Sequence, residues 1–244
     1  MRQIEIAESV DALNHSVAEQ FVRITTEALR VRNRCAVSLS GGSTPKQIYQ
    51  LLATEPYRSR ALWDQIDFFW GDERHVPADH PDSNYRMAAD ALLSKVPVRP
   101  AKVHRIHAEI PDAALAAHEY EQEIRTTFGE PANMPRFDLM LMGLGTDGHT
   151  ASLFPGTPAV DERRRLCVEN WVVALGAYRI TMTLPLINAA RMAMFVASGA
   201  EKAPAVHRVL AARETAPLAP AQLVRPSDGA LWWMLDRAAA AELS

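Results

Sequence analysis

Apolar residues keep two alternating rhythms along the chain. Short, nearly unbroken apolar runs at Cys35–Ser40, Ile66–Trp70, Phe137–Met142 and Met192–Ala197 read as buried strands. Between such runs the apolar positions step by three and four, as on one face of a helix. Val10, Leu13, Val17, Phe21, Ile24 and Ala28 form the longest such stripe, with Ser9 placed to cap it and Asp11 in its first turn. A first strand at Ile4–Ile6 precedes it. Pro45 suits the first position of a helix running on through Ile48, Leu51 and Leu52. Further helices are expected over Asn84–Leu93, over Ala200–Ala212, and from Asp112 to a stop at Gly129, with Ala117, Tyr120, Ile124 and Phe128 on one face. Val103–Ile106, Trp171–Leu175 and Ile180–Leu184 are shorter strand candidates. Leu231–Leu235 is a strand or a helix start, which periodicity does not separate.

The alternation predicts an α/β protein with a mostly parallel sheet. The one linker-like stretch, Thr215–Pro226, comes too late to divide the chain, so residues 1–244 read as a single domain. A hydrophobic content of 48% is ample for a core. The net charge of −3 comes without a basic stripe, which argues against a nucleic-acid partner. An anionic small molecule stays open, because a pocket needs only a few local cations. No run approaches membrane-spanning length, and Met1–Ile6 lacks the apolar stretch of a secretory signal. Cys35 and Cys167 fit no metal or redox spacing, and a reducing cytoplasm is the expected compartment.

In open α/β sheets, ligands bind beyond the carboxyl ends of the strands. Three such junctions here are rich in glycine and polar residues. Ser40-Gly41-Gly42-Ser43-Thr44-Pro45 joins a strand to a helix start, where free N–H groups and the positive dipole end favour an anion. It lacks the Gly-Lys-Ser/Thr of a Walker loop. Gly71-Asp72-Glu73-Arg74 follows a buried aromatic strand and reads either as a solvated ion-pair cluster or as substrate-contacting. The nearby His75, Asp79 and His80 fit no structural zinc spacing, so no metal is expected.

The third junction, Gly143-Leu144-Gly145-Thr146-Asp147-Gly148-His149, contains a G-x-G-x-x-G pattern. Three features oppose a dinucleotide site. Pro155, Gly156 and Pro158 cut short the helix that would hold a pyrophosphate; Asp147 would repel that pyrophosphate; and the unit falls past mid-chain. A glycine-framed turn presenting His149 with Asp147 instead suits acid–base work, with the aspartate orienting the imidazole or meeting a substrate hydroxyl. Arg179 and Lys202, together with Ser43 and Thr44, could bracket one phosphate.

These residues sit in longer motifs: SLSGGSTP, FFWGDERHVPADHPDSNYRMA, FDLMLMGLGTDGHTASLFPGTP, RITMTLPLINAA, GAEKAPAV and PAQLVRPSDGALWWMLD. In this order they resemble the 6-phosphogluconolactonase family, over nearly the whole chain. The resemblance implies a three-layer α/β/α Rossmann-like fold related to glucosamine-6-phosphate deaminase and ribose-5-phosphate isomerase. It implies hydrolysis of 6-phospho-D-glucono-1,5-lactone in the oxidative pentose phosphate pathway, without a cofactor, in a monomer or weak homodimer. His149 would be the general base and Asp147 its support. Gly42, Ser43, Thr44, Asp72, Arg74, Arg179 and Lys202 would bind substrate. A more proline-rich approach to Arg179 is expected of the family than Ala174-Leu175-Gly176-Ala177-Tyr178. The competing reading is a glucosamine-6-phosphate deaminase or sugar-phosphate isomerase on the same fold. Deaminases resembling this chain carry Glu five residues after the histidine, where Phe154 stands here.

Overall fold

The computed structural model describes residues 2–129, 134–211 and 218–243. Six strands form one parallel sheet in the order β1-β9-β8-β5-β2-β3: β1 Arg2–Ala7, β2 Cys35–Leu39, β3 Ile66–Trp70, β5 Leu139–Met142, β8 Met192–Ala197 and β9 Ala230–Asp236. Every residue of β2, β3 and β5 is buried, as expected of parallel strands covered on both faces. Leu231–Leu235 therefore lies in a strand, paired in register with both β1 and β8.

Helices cover both faces of this sheet. Neighbouring residues on a strand point to opposite faces, and Phe68 and Phe69 show which helix lies where. Phe68 stacks on Trp63, which stacks on Phe21 of α1 (Val10–Arg32). Phe69 meets Tyr120 and Phe128 of α5 (Ala113–Phe128) on the other side. The helix starts follow the sequence signals: Ser9 accepts the Ala12 N–H at 3.2 Å, and Asp112 accepts those of Ala114 and Leu115. Gly129 ends α5 in the left-handed conformation.

The antiparallel part of the molecule was not legible in the sequence. Asp72–Arg74 forms β4, which joins β6 (Cys167–Val172) and β7 (Ala177–Met182) in a three-stranded antiparallel sheet, order β4-β7-β6. Several predicted boundaries move accordingly. The strand expected at Trp171–Leu175 ends at Val172, and Val173–Leu175 is a helical turn before Gly176. The strand expected at Ile180–Leu184 starts earlier and stops at Met182, and α6 (Leu184–Ile187) begins where it was to end. Val103–Ile106 makes only an isolated bridge to Phe68. Pro45 is the third residue of α2 (Ser43–Leu52), not its first. A short helix α3 (Tyr57–Arg60) was not anticipated. The helix placed at Asn84–Leu93 is α4 (Asn84–Ala88) running into a wider π turn. The one placed at Ala200–Ala212 is a tight turn leading into α7 (Ala203–Leu210), and its last residue lies outside the described ones. Residues 215–217 of the linker-like stretch also lie outside them, and Pro220–Leu223 forms a helical turn. Among the described residues, no helix is long and apolar enough to cross a membrane.

The outer edge of β3, the last strand of the sheet, is held by a charge cluster. His104 bonds Asp67 at 3.0 Å and Glu123 at 2.6 Å, its ring stacks on Phe69, and Lys102 completes the Asp67 contacts. Burial opposes charge on His104, but the two carboxylates outweigh it and raise its pKa above the ordinary value. A raised folded-state pKa stabilises fully below the unfolded value of 6.5 and is lost as pH rises through the folded one. The melting temperature is therefore expected to fall as pH rises from about 6.5 through the raised folded-state value. Calorimetry at several pH values should show a shallower fall for His104→Gln, and parallel curves would refute this role.

Candidate active site

Three loops leave adjacent strand ends and meet. After β2 the chain passes Gly41 and Gly42 into α2. Gly42 has φ 109°, a conformation other residues rarely adopt, and it caps α2 without a side chain. The first-turn N–H groups at Ser43 and Thr44 are thus left free of a capping side chain and open to an external acceptor. A Cβ on Gly41 would come within 1.9 Å of Asn84 Oδ1, so glycine there lets β2's loop lie against the start of α4.

The junction after β3 turns into the antiparallel sheet. Arg74 lies directly opposite Arg179 in the β4–β7 pairing, so both side chains point to one face. Neither has an ion-pair partner among the described residues. Arg74 Nη1 donates to Asp82 O at 2.6 Å and Arg179 Nη1 to Tyr178 O at 3.2 Å. Burial, and then the charge of Arg74, hold the Arg179 pKa below its ordinary value. Like charges facing each other across a strand pair repel, and an anion between them would turn that cost into attraction.

No ion pair involves Asp72, Glu73 or Arg74 among the described residues, which corrects the ion-pair reading of this loop. Glu73 is 2% exposed. Its carboxylate accepts the N–H groups of Arg74, Asn84 and Tyr85 and the hydroxyl of Ser83. Burial raises its pKa even though those backbone bonds pull the other way. Glu73 thereby ties the start of α4 onto β4. Asp72 accepts from Ser152 Oγ at 2.7 Å, and its backbone carbonyl from Asn84 Nδ2 at 2.9 Å. Both side chains of β4's acids are therefore committed to the wall. His75 bonds Ile110 O, and His80 accepts the Asp82 N–H.

The third loop holds the imidazole. Asp147 Oδ1 accepts the His149 backbone N–H at 3.0 Å and lies 2.6 Å from His149 Nδ1. Partial burial pushes the Asp147 pKa up, but the backbone bond and the charge of His149 outweigh it and hold it below the usual range. The carboxylate therefore accepts, Nδ1 carries the proton, and Nε2 is the basic nitrogen. The Phe154 ring stacks on the imidazole at 4.1 Å. A Cβ on Gly145 would fall 2.1 Å from His149 Nδ1, so the turn closes only around glycine. Two residues beyond the histidine, Ala151 has φ 48°, a strained value for alanine, where the loop bends along the pocket.

One cavity of about 430 Å³ unites these parts. Of the residues predicted from sequence, Gly42, Ser43, Thr44, Asp72, Arg74, His149, Arg179 and Lys202 all line it. Asp147 does not; it stands behind His149. Lys202 enters from the turn after β8 and donates to Leu144 O at 2.9 Å, while Thr44 bonds Ser198 at 2.8 Å and ties α2 to that same turn. Asn84, Ser152, Ala151 and Phe154 also line the cavity, and the sequence reading did not select them as site residues. Asn84 looked only like a helix start, and nothing local marks its packing on Gly41. Leu175 shows that the non-proline approach to Arg179 still supplies a pocket wall. Among the described residues, no group of three or more His, Cys, Asp or Glu side chains is placed to hold a metal ion.

The family described as glucosamine-6-phosphate isomerases/6-phosphogluconolactonase matches residues 8–233. A 6-phosphogluconolactonase from Nostoc sp. is 43% identical over 219 residues, which is 89% of this chain and 88% of that protein. The solved 6-phosphogluconolactonase from Trypanosoma cruzi is 30% identical, with a TM-score of 0.87 over 100% of this chain and 97% of the other. A monomeric glucosamine-6-phosphate deaminase shares the fold, with a TM-score of 0.81 at 19% identity over 98% of this chain and 99% of the other.

Glu73→Gln places an amide N–H₂ among backbone donors and should cost about 1–3 kcal/mol of stability. Because it loosens Arg74 and Asn84 together, kcat/KM should fall as well. Denaturant unfolding and steady-state kinetics check both, and an unchanged kcat/KM would show that the wall does not depend on this carboxylate.

Proposed function

The chain belongs to the glucosamine-6-phosphate isomerase/6-phosphogluconolactonase family, and on that premise we propose that it hydrolyses 6-phospho-D-glucono-1,5-lactone to 6-phosphogluconate at this pocket, with His149 as general base. The observation that carries the mechanism is the Asp147–His149 contact of 2.6 Å, which commits Nδ1 and leaves Nε2 as the basic nitrogen of a pocket-lining imidazole.

An aldonolactone is an activated ester, so a positioned water and a base suffice. His149 Nε2 takes the proton as the water oxygen bonds to C1. The carbonyl electrons move onto oxygen, and N–H groups of the glycine-framed turns can meet the resulting oxyanion. Collapse breaks the bond from C1 to the ring oxygen, and the imidazolium returns its proton to that leaving oxygen. Asp147 acts through the histidine: it fixes the tautomer and stabilises the imidazolium. The phosphate lies against the open start of α2 at Ser43 and Thr44, with Arg179, Arg74 and Lys202 supplying the charge. Its binding energy orients C1 over the base. No step calls for a cofactor, and we read the protein as a monomer or weak homodimer working in the cytoplasm.

The deaminase reading needs a carboxylic acid where Phe154 stands. That ring stacks on the base instead, so the pocket favours water attack on a lactone over acid-assisted opening of an amino sugar.

The test generates the lactone in place from glucose 6-phosphate and follows 6-phosphogluconate with its dehydrogenase, against a trace without protein. Wild type should accelerate opening, and His149→Ala should approach the spontaneous rate. Asp147→Asn should lower kcat about a hundredfold or more with a smaller change in KM. Arg179→Gln should act chiefly on KM. Full activity in His149→Ala would sink the mechanism, and no acceleration by wild type would sink the activity.

A further inference from the structure

The catalytic pocket occupies the carboxyl ends of the strands. A second cavity, of about 630 Å³, lies at their amino ends. Arg32, Arg34, Arg136 and Arg191 line it, with Asp138 and Phe128. The sheet order explains the cluster. Arg34, Asp138 and Arg191 each stand immediately before one of the adjacent strands β2, β5 and β8, and Arg32 closes α1 beside them. In a chain of net charge −3 this surplus of guanidinium is local.

The cluster's own carboxylates do not balance it. Asp138 is 4% exposed. It accepts two bonds from Arg32, at 3.0 and 2.7 Å, and the Ala36 N–H at 2.9 Å, and Arg191 Nε stands 3.5 Å away. Arg136 donates to Ala189 O and reaches Asp228, an exposed residue at the rim. Arg34 has no carboxylate partner among the described residues; its guanidinium lies over the Phe128 ring, 4.8 Å from the centroid. Burial, and then the charges of Arg32 and Arg136, lower the Arg191 pKa. Favourable placement at a helix end explains Arg32 in the last turn of α1, but not the other three, which come from separate segments.

We propose that this cavity is a second anion site, separate from the catalytic pocket, that takes a small polyvalent anion with two phosphate-type groups. Guanidinium forks bind such groups bidentately, and the four face only two carboxylates, buried Asp138 and exposed Asp228, which leaves positive charge for an anion. The cavity is also larger than the catalytic one, which has room for a phosphorylated sugar lactone.

The test is isothermal titration with inorganic pyrophosphate at about 0.15 M salt, where diffuse surface attraction is largely screened. It uses wild type and the Arg74→Gln/Arg179→Gln variant, which removes cations from the catalytic pocket. Saturable binding that survives in that variant is expected, as is at least a tenfold weakening by Arg34→Gln. Arg34 is exposed and free of ion pairs among the described residues, so its replacement, which removes only the stacking on Phe128, should lower the melting temperature only slightly, and Arg191→Gln gives a second, independent weakening. Orthophosphate should bind more weakly than pyrophosphate. The proposal falls if there is no saturable binding, if binding is lost with Arg74 and Arg179, if affinity is unchanged by Arg34→Gln and Arg191→Gln, or if orthophosphate binds equally well.

Discussion

Complete burial of three neighbouring strands governs how this molecule is built. β2, β3 and β5 expose no residue, so their lengths admit few polar side chains and polar chemistry collects where they stop. At the carboxyl ends the chain leaves the sheet through Gly41 and Gly42, Gly71, and Gly143 and Gly145. Two of these glycines also let a side chain pack closely on the backbone. Gly41 admits Asn84, and Gly145 admits His149. A buried sheet thus gathers three loops into one pocket.

Within that pocket the acidic residues hold other groups in place. Asp147 holds an imidazole by its backbone and its ring, and Glu73 holds the start of α4. Asp72 is occupied by Ser152 and Asn84. The uncommitted charge facing the cavity is cationic, on Arg74 and Arg179. That division of labour suits an anionic substrate attacked by water, because a free carboxylate near the substrate would repel its phosphate and compete for the base.

Much of this was legible in the sequence. Unbroken apolar runs gave the central strands, and glycine with hydroxyl or acid–base residues after them gave all three loops. The antiparallel sheet was not legible, for a physical reason. β4 is three residues of charge, Asp72-Glu73-Arg74, and takes strand form only because β7 pairs with it from more than a hundred residues away. The same pairing set Arg74 opposite Arg179, a relation that no local pattern carries. Glu73 misled for a related reason: a glutamate between an aspartate and an arginine looks solvated until the helix start that it captures folds over it.

The two ends of the six-stranded sheet's sequence meet. β1 sits at the sheet's edge and, among the described residues, pairs only with β9, from Arg2 opposite Leu231 to Ala7 opposite Asp236. On a ribosome, β1 emerges long before the strand that receives it. Until β9 arrives, Ile4 and Ile6 have no place in the sheet, and the α1 that follows must pack on strands still to be made. Docking of β1 is thus a closing event whose loop spans nearly the whole chain, the kind of non-local contact that slows folding. The pocket loops follow β2 and β5 inside the sheet and β3 at its far edge, and all three strands precede β9 in the chain, so these loops can assemble before that closure.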